Sequence, residues 1–349
     1  MQPKLNPEML RLARESRGLN RTDLAELVGL SQSAISRLEG GETQPTAETL
    51  GKLAIALKYL PELFSQTEIV LGTGCSFLFH RQRRTMPIPE QRRIAAKVNI
   101  LRIQVERLIR DVEFDFHNRF ELIDPEQHKG PEGVARAVRC AWCIPAGPIS
   151  NVVGILESAG AIVLDCAFGN PKVDAISQWP PNLLPLFFVN TGMPGDRQRF
   201  TLAHELGHLI MHSVPREEIE DEANAFAGEF LMPGEEIGPS LSNLTIEKAA
   251  ALKSFWRVSM QAIIMRAKHL GKITSAQYTR LCQQMAPMRM IEPVPIPREQ
   301  PALLRKAIGV HLKTHEYTVD DLSRFAMVGS NEFCDQFVPD PTMRLRLVR

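Results

Sequence analysis

Two histidines four residues apart, with a glutamate directly after the first, most constrain what this chain can fold into. They stand in Phe200-Thr201-Leu202-Ala203-His204-Glu205-Leu206-Gly207-His208. On an α-helix, residues four apart lie on one face, a turn apart. Such a helix brings both imidazoles to one place, where they can grip a single divalent metal. Glu205 projects from the same turn toward the metal's open position.

A metal that does chemistry takes three protein ligands and keeps one position open. His204 and His208 are two. His212 follows at the same spacing, but eight residues of straight helix rise about 12 Å, too far for two bonds of ~2 Å to one ion. Neither glycine nor proline breaks the run between His208 and His212. The next helical stretch, REEIEDEANAFAGEFLMP, has an apolar face of Ile219, Ala223, Phe226, Ala227, Phe230 and Leu231. It offers Glu218, Glu220 and Glu222, and donor chemistry alone does not separate the three. Asn224 is a candidate to orient a ligand from outside, or an ordinary surface amide.

The string RFTLAHELGHLIMH followed by EDEANAFAGEFLMP resembles the ImmA/IrrE family of metallopeptidases. The resemblance implies one Zn2+ per chain held by His204, His208 and Glu222, the last being the glutamate of the EAxxFA motif. It also implies zinc metalloendopeptidase chemistry with Glu205 as the catalytic base. Arg199 resembles a recurrent basic residue ahead of that motif, with a structural salt bridge as its expected role. The strand expected around Phe187–Asn190 could bind an extended peptide by edge pairing.

The N-terminal segment reads as five short helices with strong punctuation. Pro7 opens the first and Gly18 closes it; Asn20, Ser31 and Thr46 can cap the next three, and Pro61 begins a short fifth. Leu24, Ala25, Leu27, Ile35, Leu38, Leu50, Leu53 and Leu57 fit one shared core. The stretch LNRTDLAELVGLSQSAISRLEGGETQPTAETLGKLAIAL resembles the XRE, or lambda-repressor-like, helix-turn-helix family. That resemblance implies double-stranded DNA as partner. Ser31, Gln32, Ser33, Ser36 and Arg37 would face the major groove and Arg21 a phosphate.

Between these regions, Ile94, Val98, Leu101, Val105 and Leu108 alternate at spacings of four and three, the pattern of a helix seam that packs on the next domain or on a second copy. The basic excess around it, from Arg81, Arg83 and Arg84 to Arg110, reads as a solvated face. Pro131–Trp142 and Asn151–Ser158 read as helices; Ala161–Leu164 and Leu186–Val189 read as strands. Leu252–Gly271 echoes the N-terminal helix-turn-helix but is more apolar, which favours core packing over a second DNA contact. Residues 287–301 read as a proline-rich linker, and short helices follow. Cys140 and Cys143 form a lone CxxC, read as two small apolar residues near a helix end.

The formal net charge of +1 gives no general affinity for polyanions, so DNA contact must come from a local patch. No apolar run approaches the roughly 20 residues that span a bilayer, and the N-terminus lacks the apolar core of a signal peptide. The expectation is a cytoplasmic, nucleoid-associated protein with no membrane contact. The expected fold is multidomain and mostly α. A five-helix lambda-repressor-like domain (1–66) and a basic linker and helix (67–118) come first. An α+β zincin-like metallopeptidase domain with a small sheet (119–240) follows, then a helix-turn-helix-like subdomain (241–286) and a C-terminal linker with helices (287–349). The expected function is a sequence-specific transcriptional regulator, a homodimer on a palindromic operator. Its peptidase domain cleaves a partner regulator or the chain itself, or senses a signal. The alternatives are a non-catalytic ligand sensor and a site-specific protease of a DNA-bound repressor or antitoxin.

Overall fold

The computed structural model describes residues 4–68, 70–71, 86–212, 218–286 and 292–338. Arg81, Arg83, Arg84 and the basic tail from Arg344 lie outside the described residues. The chain divides into two compact units. One holds the N-terminal residues through 71, residues 86–113 and residues 303–338; the other holds residues 114–302.

The first unit begins with α1 (Pro7–Ser16), α2 (Arg21–Val28), α3 (Gln32–Glu39) and α4 (Ala47–Leu57), followed by a 3-10 turn at Pro61–Ser65. Every expected cap is in place. Asn20 accepts from the backbone of Thr22 and Asp23, while Asp23 returns the bond to Asn20; Ser31 accepts from Ala34 and Thr46 from Thr49. Gly29 ends α2 at φ +68°, a left-handed conformation suited to glycine. Leu24, Ala25, Ile35, Leu38, Leu53 and Leu57 are buried together. Leu27, expected among them, is 60% exposed. It follows Glu26 on the outer side of α2, while Leu24, Ala25 and Val28 turn inward.

A long helix, α5 (Ile88–Ile109), packs on α1 in the same unit. All five seam residues from Ile94 to Leu108 are buried, and so are Ala96, Ile100 and Ile103. The seam is therefore used inside its own unit, against α1 on one side and the C-terminal helices on the other. Those helices, Leu303–Lys313, Val319–Phe325 and Ser330–Phe337, fold back onto the N-terminal residues. Tyr59 forms a β-bridge with Val328, the Leu60 N–H donates to Met327 O at 3.0 Å, and Gln104 donates to Ala326 O at 2.9 Å.

The second unit contains α6 (Pro131–Ala141), α7 (Val152–Ser158), β1 (Ile162–Cys166), β2 (Ala175–Gln178), β3 (Leu186–Asn190), α8 (Gly195–Met211) and α9 (Ile219–Leu231). Cys140 and Cys143, at the end of α6, are exposed rather than packed. The sheet has the order β1-β3-β2, with β3 parallel to β1 and antiparallel to β2. β3 is central, so both its edges are already paired and it cannot take a peptide as the sequence suggested. Among the described residues the edges are β1 and β2.

One face of the sheet, including Val163, Phe187 and Val189, shares a core with Leu202, Leu206 and Ile210 of α8 and Phe226 and Phe230 of α9. Helices Ile246–Trp256, Met260–His269 and Ser275–Met285 complete this unit. Trp256, Val258, Met260, Ile263 and Ile264 are buried in the same core, the packing role expected of that segment.

Residues 292–302 are not a free linker. Arg298 donates to the carbonyls of Asn190 and Met193, both at 2.9 Å, and pairs with Asp165. Glu299 is buried, accepts from the Val153 N–H at 3.0 Å and pairs with Arg199; Ala302 donates to Glu157. Proline lacks a backbone donor, so Pro293, Pro295, Pro297 and Pro301 leave fewer N–H groups to satisfy in an extended segment lying on the unit.

Candidate metal centre and nucleic-acid interface

α8 is buried almost from end to end, which takes His204, Glu205 and His208 out of water. The two Nε2 atoms lie 3.0 Å apart. A Glu220 carboxylate oxygen stands 3.7 Å from Nε2 of His204, and its other oxygen 3.5 Å from Nε2 of His208. Donor atoms of these three residues all fall within 4.8 Å of one another, the one such His/Cys/Asp/Glu group among the described residues. Four tetrahedral bonds of ~2.05 Å set donors about 3.3 Å apart, close to this spacing.

Hydrogen bonds behind the imidazoles assign their tautomers. His204 Nδ1 is 3.0 Å from Oδ1 of Asn224, an acceptor, so Nδ1 carries the proton and Nε2 a lone pair. His208 Nδ1 is 2.9 Å from Nδ1 of His212, whose Nε2 is 2.9 Å from a Glu222 oxygen. The carboxylate accepts a hydrogen bond from the His212 Nε2–H, His212 Nδ1 accepts one from His208 Nδ1–H, and His208 Nε2 is left with its lone pair. Two lone pairs facing each other at this distance in a dry place repel unless a cation lies between them. The donor set therefore fits a divalent metal. Burial, reinforced by neighbouring His208, drives the His204 pKa down to about 3, keeping it neutral and available as a ligand.

The structure brings Glu220 to the imidazoles and sets Glu222 on His212, where the sequence reading had Glu222 as third ligand. At 100° per residue, Glu220 and Glu222 lie about 200° apart on α9. They flank opposite sides of the buried stripe Ile219–Ala223–Phe226–Phe230. Glu220 shares its side with Asn224, one turn on, and that side faces His204. The signal was in the sequence: if Asn224 orients a ligand, the carboxylate four residues before it shares its face. His212 is not part of the candidate group of His204, His208 and Glu220; α8 ends at Met211 and His212 is its C-terminal cap. Close approach of the two helices depends on Gly207, where a Cβ would stand 3.0 Å from the Phe226 ring.

Glu205 is fully buried and accepts a hydrogen bond on Oε2 from the hydroxyl of Ser177, itself fully buried on β2. Its Oε1 has no hydrogen-bond partner among the described residues. Burial raises its pKa to about 7, against the lowering pull of His208 and Ser177. A carboxyl group balanced near neutrality, with one oxygen fixed and the other unengaged, suits proton transfer. Ser177 was missed in the sequence because β2 is only four residues long and lacks a hydrophobic alternation. Arg199 takes no part in the cluster: it is fully buried, pairs with Glu299 and donates to Ile149 O at 2.6 Å.

In the N-terminal unit, Ser31, Gln32, Ser33 and Arg37 are exposed at α3, while Ser36 is half-buried. The Ser31 hydroxyl caps the helix and lies 2.9 Å from that of Ser33. Arg21, expected on a phosphate, pairs through Nε with Glu39 at 2.7 Å. Glu39 also binds Arg14 and so ties α1, α2 and α3 together.

Residues 10–64 match the family model described as helix-turn-helix. Residues 156–268 match that of the IrrE N-terminal-like domain, a peptidase family. The chain thus carries an XRE-type helix-turn-helix domain at its N-terminus and an IrrE N-terminal-like peptidase domain in its middle. No curated protein matches it. No helix among the described residues is long and apolar enough to cross a membrane.

Proposed function

We propose that this chain is a cytoplasmic DNA-binding regulator whose peptidase domain cuts a partner regulator, or the chain itself, to change transcription. The observation that carries the reading is the convergence of His204, His208 and Glu220 beside Glu205, in a chain that also bears a helix-turn-helix. His204 and His208 would hold one zinc ion with Glu220 as the third donor. Asn224 orients the first imidazole and the pair His212–Glu222 the second. The metal, when bound, supplies Lewis acidity toward a scissile carbonyl and its attacking water. Glu205 takes a proton on Oε1 and delivers it to the leaving amine, while Ser177 holds its other oxygen. An extended peptide would pair with the β2 edge, next to Ser177.

Gln32, Ser33 and Arg37 would read bases, with Ser31, Ser36 and Arg21 in supporting contacts. One short recognition helix reads few bases, which favours a homodimer on a palindromic operator. The test is Glu205→Gln, which leaves every proposed ligand in place. The substitution should retain metal and operator binding, abolish cleavage of the partner or of the chain, and lose the regulatory response. A response that persists without cleavage would rule catalysis out of the switch and make the domain a sensor.

A further inference from the structure

Cys140 and Cys143 stand at the end of α6, both free and both exposed, so packing does not account for them. The residues beside them are held inside. Arg139, buried, donates to Phe230 O at 2.7 Å and to the carbonyls of Pro145 and Gly147. Trp142, also buried, donates through Nε1 to Arg119 O at 3.1 Å and packs against Phe120. The turn is thereby fixed to the second unit, with both cysteines on its outer side.

Two bonds close the end of the helix. The Ile144 N–H donates to Arg139 O at 2.8 Å and the Cys143 N–H to Cys140 O at 3.1 Å, the paired bonds of a Schellman motif. Cys143 follows the cap at φ +50°, a left-handed conformation that glycine adopts freely and other residues adopt at a cost. Burial does not offset that cost, because Cys143 is exposed. The bond from Cys143 to Cys140 also makes residues 140–143 a four-residue turn, whose end Cα atoms lie within about 7 Å of each other. A disulfide needs Cα atoms closer than about 7 Å if the backbone is not to move. The pair lacks the donors of a zinc knuckle, which takes four ligands: among the described residues, no third histidine, cysteine, aspartate or glutamate joins it in a metal-ligating group.

We propose that Cys140 and Cys143 form a thiol–disulfide exchange site for low-molecular-weight disulfides of the glutathione disulfide type. One cysteine thiolate attacks a sulfur of the small disulfide, breaking its S–S bond and releasing one glutathione thiolate. The other cysteine thiolate attacks the sulfur of the first, forming the Cys140–Cys143 bond and releasing the second glutathione. The two cysteine sulfurs lose two electrons, the small disulfide gains them, and the cysteine protons end on the two glutathione thiols. The second attack is intramolecular within a turn already closed, so the mixed disulfide does not persist.

The full chain is incubated with glutathione disulfide, alkylated, and digested with trypsin and Glu-C. The fragment running from Cys140 to Glu157 contains both cysteines and no other. By mass spectrometry it should be lighter by two hydrogens, without alkyl group or glutathione, and dithiothreitol should return it to the alkylated dithiol. Cys140→Ser and Cys143→Ser should each accumulate a glutathione adduct on the remaining cysteine, at least about tenfold above wild type. Cys143→Gly should abolish the internal bond yet melt no lower than reduced wild type, since glycine relieves the left-handed position. An alkylated wild-type peptide after oxidation, a lasting glutathione adduct on it, or a disulfide joining two chains overturns the assignment. So does a lower melting temperature in Cys143→Gly, which would give Cys143 a role in the fold instead.

Discussion

Replacing Glu220 and Glu222 one at a time with alanine asks which carboxylate holds the metal. Glu222 reaches the cluster only through His212, by two successive hydrogen bonds of 2.9 Å. Removing an outer partner of a histidine ligand lowers metal affinity about 10- to 100-fold, or about 1.4–2.7 kcal/mol. Glu220 presents its two oxygens 3.5 and 3.7 Å from the two Nε2 atoms, so its loss removes a ligand and a negative charge together. Glu220→Ala should therefore cost more than 100-fold, above the range for outer partners. Glu222→Ala should stay within that range and should not add to His212→Ala, because both act along one path. Competition for zinc against a chromophoric chelator, on the full chain, measures all of these. If Glu222→Ala strips the metal while Glu220→Ala keeps it, the facing derived from α9 is refuted.

Three further outcomes follow from contacts of the same kind. Ser177→Ala should retain metal but lower peptide turnover about 10- to 150-fold, since a hydrogen bond to a charged group contributes about 1.5–3 kcal/mol; unchanged kcat would remove Ser177 from the positioning of Glu205. Arg199→Met leaves the buried Glu299 without its cation and should destabilise the second unit by about 3–5 kcal/mol, read as a lowered denaturant midpoint; a midpoint equal to wild type would contradict that pairing. Glu39 is partly buried, which raises its pKa, but Arg14 and Arg21 outweigh burial and hold it below the usual carboxylate range. Its contribution is then complete above the unfolded value of about 4.3 and is lost as pH falls through the lower folded value. Thermal melts between neutral pH and about pH 3 should show a loss that Glu39→Gln lacks; identical profiles would show that the Glu39 pair carries no linkage.

Much of the local architecture was legible because it rests on short-range rules. The caps Asn20, Ser31 and Thr46 act within three residues, and Gly29 answers a local left-handed turn, so the first four helices could be read directly. Sequence also placed β1 and β3, whose apolar runs are strong, but not β2. Their order in the sheet depends on pairing between distant segments, which is why β3 was taken for an edge and proved central.

What the sequence by itself determined is the kind of chemistry: two imidazoles and a glutamate on one helix, and a capped recognition helix with polar residues on its outer face. Those are properties of spacing along a single element. Tertiary structure decided which side of α9 turns to α8, and hence that Glu220 meets the imidazoles while Glu222 meets His212. It also decided that the proline-rich segment packs down through Arg298 and Glu299, and that the last helices return to the N-terminal unit. Each of these depends on contacts between residues tens to hundreds of positions apart, for which local periodicity carries no signal.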